Sequence, residues 1–188
     1  MSDFARFLPL NGRPQGAETG VSSDRRTALA ELVERAAELV AGVASERGVA
    51  TDTLVEAFID NAELRSDFDA VGPGPAALGA LAAAVRDGRR RRIRALSAGA
   101  RALLLLQREL DAESHLDAGV AGTVALHLAA SAPFARRAAV KGRTIRATDA
   151  DWSFGSGPVL EGTATAIAAF LLGVSDDPPR PPAVTGRG

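Results

Sequence analysis

Val140–Leu172 reads VKGRTIRATDADWSFGSGPVLEGTATAIAAFLL, and the fold class follows from how this stretch is divided. Arg143–Thr148 alternates polar and apolar residues, with Ile145 and Ala147 on one face, as a half-buried strand does. Asp149-Ala150-Asp151 suits a turn, because Asp side chains bond to their own backbone. Trp152–Phe154 supplies aromatic strand formers, and Gly155-Ser156-Gly157-Pro158 breaks the chain again before a short third strand, Val159–Glu161. Thr163 stands at the N-cap position of an apolar helix, Ala164–Leu172, with Gly173 as its stop. The order is β-β-β-α.

Upstream of this unit the apolar residues recur at helical spacing. Leu29, Leu32, Val33, Ala36, Val40 and Val43 share one face of a helix expected over Asp24–Arg47, capped by Ser22 or Ser23 and ended by Gly48. Thr53-x-x-Glu56 fits a capping box opening a second helix that buries Leu54, Val55, Phe58, Ile59 and Ala62. Gly72-Pro73-Gly74-Pro75 is the firmest break, with Pro75 at the first position of a helix over Ala76–Arg86. Further helices are expected over Arg90–Ser114 and Ala118–Ala130, the last interrupted near Pro133. Short connections between antiparallel helices imply a bundle.

The expected organisation is therefore α+β. An irregular arm (1–22) that carries Phe4, Phe7, Leu8 and Leu10 precedes a bundle of four to five helices (23–139). A small three-stranded sheet with a final helix (140–173) follows. A disordered tail (174–188), with Pro at 178, 179, 181 and 182, ends the chain.

Composition narrows the function. Of the 188 residues 46% are hydrophobic but only 4% aromatic, so the core is built from small side chains and close-packed helices. A net charge of −1 gives no general attraction to nucleic acid or anionic membrane. The absence of Cys excludes disulfides, a thiolate nucleophile and Cys-metal sites, though not an external thiol cofactor. With neither a signal-peptide pattern nor an apolar run long enough to span a bilayer, a soluble cytoplasmic protein is the expectation.

Three groups of residues carry candidate chemistry. Asp111 and His115 stand four apart, on one face of a helix that continues this far, with Glu113 between them and His127 on the next helix. Imidazole and carboxylate suit zinc or a similar divalent ion, and His127 is the one other histidine able to complete the set. The competing reading is an exposed His115 at a helix end and a bundle-face His127. Arg89–Arg94 places five arginines around Ile93, a solvated helix start that faces an acidic partner or an anion. Gly155–Pro158 lacks the pattern of a phosphate loop and reads as a tight turn, and Asp149/Asp151 as turn chemistry rather than a catalytic pair.

IRATDADWSFGSGPVLEG (145–162), followed by a short Ala- and Leu-rich helix, resembles the C-terminal module of mycothiol-dependent maleylpyruvate isomerase-like proteins. That family joins a DinB-like helical bundle to a small α+β domain. The resemblance implies metal binding, with Asp111 and His115 matching a Glu-x-x-x-His ligand pair. It also implies a low-molecular-weight thiol cofactor and an isomerase or transferase acting on a small anionic substrate. Arg143 and Arg146 are the basic residues it assigns to holding cofactor or substrate. The chain departs from the pattern in having no His before His115, no Trp before Trp152, and Gly173-Val174 where many relatives have Gly-Arg. Two other readings stand beside the enzyme: a non-catalytic descendant that binds a small apolar or anionic ligand, and an interaction protein using its Arg-rich helix, with a homodimer as one form.

Overall fold

The structure, a computed structural model, describes residues 23–47, 51–74 and 76–183. It is α+β. Among the described residues seven helices precede the sheet: α1 (Arg26–Arg47), α2 (Asp52–Asn61), α3 (Arg65–Val71), α4 (Ala77–Asp87), α5 (Ile93–Glu109), α6 (Ala118–Ser131) and α7 (Phe134–Val140). Then come β1 (Thr144–Ala147), β2 (Ser153–Gly155), β3 (Val159–Gly162) and α8 (Ala164–Leu172). The bundle thus holds two more helices than the upper expectation of five. The seven-residue helices α3 and α7, about two turns each, are too short to carry a periodic apolar stripe.

α1 lies along α4 and α5, α2 packs on α5, and α6 bridges α5 to α8. Leu29, Val33 and Ala36 of α1 meet Leu81, Val85, Leu96, Leu103 and Leu104 in one core. A second, smaller core under the sheet gathers Ala125, Val140, Ile145, Leu160, Ile167 and Leu171. Trp152 borders both. Its Nε1–H donates to the Ala118 carbonyl at 3.0 Å, and its indole lies over Gly122, where a methyl group would sit 2.9 Å from Nε1. Phe154 stacks beside it with ring centroids 6.0 Å apart. Trp152 is the link between sheet and bundle that its size predicts.

The sheet order is β2-β1-β3, with β1 antiparallel to β2 and parallel to β3. Thr144 opposes both Gly155 at the end of β2 and Val159 at the start of β3, so Ser156–Pro158 passes beneath the start of β1. Thr144 donates through its amide to the Pro158 carbonyl (3.1 Å) and through Oγ1 to that of Gly157 (3.0 Å). Side chains at Gly155 and Gly157 would overlap the Arg143 and Gly142 carbonyl oxygens, and both glycines have positive φ. The glycines are there for this close crossing. Asp149 does more than turn the chain: its Oδ1 accepts from the Ala164 amide at 2.6 Å, and Thr163 Oγ1 accepts from that of Ala166 at 3.1 Å. Together they cap α8, as Thr163 predicts.

Other local expectations change. Asp24, not Ser23, serves the start of α1, accepting from the Arg26 amide at 3.1 Å. α2 begins at Asp52 after Thr51, so the Thr53/Glu56 capping box does not form. Gly48, Pro75 and the arm 1–22 lie outside the described residues. Residues 174–183, expected within a disordered tail, are instead tied down. Glu161 and Arg180 exchange two backbone hydrogen bonds (2.6 and 2.9 Å), and Pro179 is buried. Arg136 donates to the Ser175 carbonyl (2.6 Å) and to Asp176 Oδ1 (2.7 Å), and it lies over the Phe170 ring.

Candidate binding groove

The metal-ligand expectation meets the end of α5. That helix stops at Glu109, and Asp111 takes the left-handed conformation at φ 58°. The Ala112 amide bonds back to the Gln107 carbonyl (2.9 Å) and the Asp111 amide to that of Arg108 (3.2 Å), the paired bonds of a Schellman terminus. Asp111 and His115 therefore do not share a helical face. Asp111, Glu113 and His115 are exposed along the turn and extended link to α6, and His127 lies half-buried on α6. Among the described residues no three His, Asp or Glu side chains come together as a metal site. These residues do not fit the ion that the resemblance implies.

What holds this link is Gln107, a fully buried side chain. Its Nε2 donates to the His115 carbonyl and its Oε1 accepts from the His115 amide, both at 3.0 Å. The Leu116 amide then donates to Thr165 Oγ1 on α8, also at 3.0 Å.

The arginine run is not a solvated helix start, because α5 begins only at Ile93. Arg91 is buried and paired with Asp67 of α3, and its amide donates to Asp24 Oδ1 at 3.1 Å. Arg26 reaches the Gly88 carbonyl (2.8 Å), Arg90 the Ser23 hydroxyl (3.2 Å), and Arg86 the Glu34 carboxylate (2.9 Å). The segment fastens the start of α1 to the α4–α5 connection. Burial pushes the Asp24 carboxyl up, but hydrogen bonds from the Arg91 and Arg26 amides and from the Arg26 guanidinium outweigh it and hold the group below its ordinary value. The hydrogen bond from Arg86 likewise lowers the Glu34 carboxyl. Arg89 and Arg92 remain exposed. In the sheet, Arg146 is engaged by Glu161, its Nε donating at 2.7 Å, while Arg143 is exposed. Leu126 of α6 and Phe134 of α7, 59% and 78% exposed, are the large apolar side chains left in solvent among the described residues.

A second kind of feature, a concavity, lies elsewhere. A half-open groove of about 850 Å³ runs between the C-terminal half of α1 and the starts of α2 and α4. Ala37, Val40, Ala41 and Ala44 form one wall, Val55 and Phe68 the floor, and Ala77, Leu78 and Gly79 the facing side. Its size falls within the range of small-molecule sites and its lining is mostly apolar, as such sites require. The space exists because α1 presents alanines at 37, 41 and 44, beside the core stripe, where larger residues would fill it. The polar rim includes Asp52 and Glu56 of α2. Glu56 pairs with Arg65 at 2.6 Å, and its hydrogen bond, then that of Asp60, raises the Arg65 pKa. Asp52 is exposed at the first turn of α2, and neither the groove nor its acidic rim was anticipated from the sequence. The Ala37/Ala41/Ala44 spacing was the available signal.

No protein-family model, no curated protein and no solved structure matches the chain. The resemblance of Ile145–Gly162 rests on those residues alone. No single helix among the described residues is long and apolar enough to cross a membrane.

Proposed function

We propose that this chain is a binding protein, and that its α1–α2–α4 groove takes an apolar ligand or segment carrying a cationic group. The observation that carries this reading is the groove itself: about 850 Å³, lined by alanines, Val40, Val55, Phe68 and Leu78, with carboxylates at one rim. Apolar walls supply affinity in proportion to the area removed from water, and the exposed Asp52 carboxylate favours a cation at the edge over an anion, Glu56 being held by Arg65. Of the three readings open at the level of sequence, this is nearest to the non-catalytic ligand-binding descendant. Its ligand site lies among α1, α2 and α4 rather than in the Val140–Leu172 unit. The metal- and thiol-dependent isomerase draws no support from Asp111, Glu113 and His115, which lie along an exposed link rather than on one helical face.

Filling the groove tests it. Ala41 is exposed on the groove wall, so Ala41→Trp adds bulk without disturbing the core. The native chain should bind the neutral apolar dye Nile red with enhanced fluorescence, and Ala41→Trp should weaken binding at least about tenfold, the equivalent of about 1.4 kcal/mol. Equal binding by both proteins would defeat the proposal.

A further inference from the structure

We infer that the outer face of α6 and α7 docks on an anionic lipid bilayer, with the chain lying on the bilayer surface. This face is separate from the α1–α2–α4 groove, and neither reading depends on the other.

Leu126 and Phe134, the large apolar side chains left in solvent among the described residues, both fall on this pair of helices. On α6, Gly119, Leu126 and Ala130 are exposed at helical spacing with half-buried Thr123 between them, and none of the four is charged. On α7, Phe134 and Ala138 are exposed on one face, and exposed Lys141 follows at the next turn. The two helices together match a membrane segment in length and composition, but they are bent by 111°, with exposed Pro133 and Phe134 at the corner. The inner side of α6, Val120, Ala121, Val124 and Ala125, belongs to the protein core. Only the outer side is left for lipid, so the pair lies on a bilayer rather than crossing it.

Charge selects the occupant. From Ala118 to Thr148 the sequence has no Asp or Glu and five cations, Arg136, Arg137, Lys141, Arg143 and Arg146. The acids that bound this stretch, Asp117 and Asp149, are engaged in capping α6 and α8. Asp176 holds Arg136 and Glu161 holds Arg146, whereas Arg137, Lys141 and Arg143 form no ion pair among the described residues. The net charge of −1 therefore conceals a basic face. An apolar corner beside free cations matches acyl chains beneath anionic headgroups. Phe134 and Leu126 enter at the headgroup boundary, and the long Lys141 and Arg143 side chains reach the phosphates. A second copy of the chain fits less well, because a two-fold contact here brings these cations toward their own copies.

The full chain should float with vesicles of phosphatidylglycerol and phosphatidylcholine in equal parts, and stay behind with phosphatidylcholine alone. Salt at about 1 M, where the Debye length is about 3 Å, should weaken the binding. Leu126 and Phe134 are exposed, so Leu126→Ser/Phe134→Ser leaves the core intact, and it should lower affinity at least about tenfold. Lys141→Glu/Arg143→Glu should do the same, whereas Arg89→Glu/Arg92→Glu, in the arginine run before α5, should not. Because the chain has no cysteine, an environment-sensitive dye can be placed at exposed Ala135→Cys, which keeps both apolar anchors. It should brighten and shift to the blue on the anionic vesicles, while the same dye at Asp69→Cys on α3 should not. The inference is overturned by no flotation, by equal flotation with both vesicles, or by flotation that the two serines leave unchanged. Loss confined to the Arg89/Arg92 variant would move the lipid contact to the arginine run and overturn it as well. A concentration-dependent dimer abolished by the two serines, without vesicle binding, would give the face to a second copy instead. Nile red binding in the groove stands or falls separately, on Ala41→Trp.

Discussion

Glu63 and Asp111 decide where two helices end, and both are non-glycine residues at positive φ, 57° and 58°. Each follows its helix in a Schellman terminus: the Leu64 amide returns to the Ile59 carbonyl (3.1 Å) as that of Ala112 returns to Gln107 (2.9 Å). α8 closes with the same pair of bonds, but there the left-handed residue is Gly173. This difference explains what could be read in advance. Gly173 announced its helix end, whereas Glu63 and Asp111 carry no such signal, so the fourth expected helix ran on to Ser114 and drew Asp111 and His115 onto one face. Because a Cβ is disfavoured in this conformation, Asp111→Gly and Glu63→Gly should each stabilise the fold by about 0.5–1 kcal/mol, seen as a higher urea midpoint. A lower midpoint would mean that these carboxylates contribute more than their conformation costs. At the same scale, Trp152→Ala removes a half-buried indole from the seam of both cores together with its bond to the Ala118 carbonyl. The expected loss is about 2–4 kcal/mol, or a melting temperature lower by about 5–15 °C. An unchanged melting temperature would place the indole outside the packed seam.

Elements are joined here by charged side chains that composition alone assigns to the surface. Arg91 is the clearest case: flanked by arginines in sequence, it is buried against Asp67, and its backbone is tied to Asp24 and Arg25. A run of like residues gives no sign of which member turns inward, so the basic stretch read as a solvated helix start. The proline-rich segment misled in the opposite way. Its few apolar side chains suggested no packing, yet backbone pairing at Glu161/Arg180, the reach of Arg136, the burial of Pro179 and the contact of Val174 with the core hold it. The Asp24 junction has a pH signature. Since its carboxyl is held below the ordinary value of 3.8 in the folded chain, its stabilising effect is complete above that pH. As pH falls the unfolded chain takes up the proton first, and the advantage disappears as pH passes through the folded value. Urea midpoints of the native chain and Asp24→Asn should differ at pH 7 and converge as pH drops below about 3.8. A gap that is constant with pH would assign the effect of the substitution to something other than this charge.

The whole molecule was legible wherever large apolar residues repeat. The α1 stripe Leu29, Leu32, Val33, Ala36 and Val40 is buried, and the β-β-β-α order of Val140–Leu172 stands as expected. The candidate site was not legible, because a groove is made by what is missing from a surface. Ala37, Ala41 and Ala44 look like neutral helix formers until α2 and α4 are set beside them. The titratable residues that draw attention in a sequence, His115 and His127 above all, lie outside this groove. The most direct test of the account is therefore a methyl-resolved NMR titration of the native chain. Two ligands are compared: phenylbutylamine, which carries an apolar body and a cationic head, and zinc. The account predicts that the amine shifts the methyls of Val40, Ala41, Val55, Ala77 and Leu78, and that zinc leaves the surroundings of His115 and His127 unordered by any shared site. Saturable zinc-induced shifts centred on both histidines, with no amine response in the groove, would contradict it.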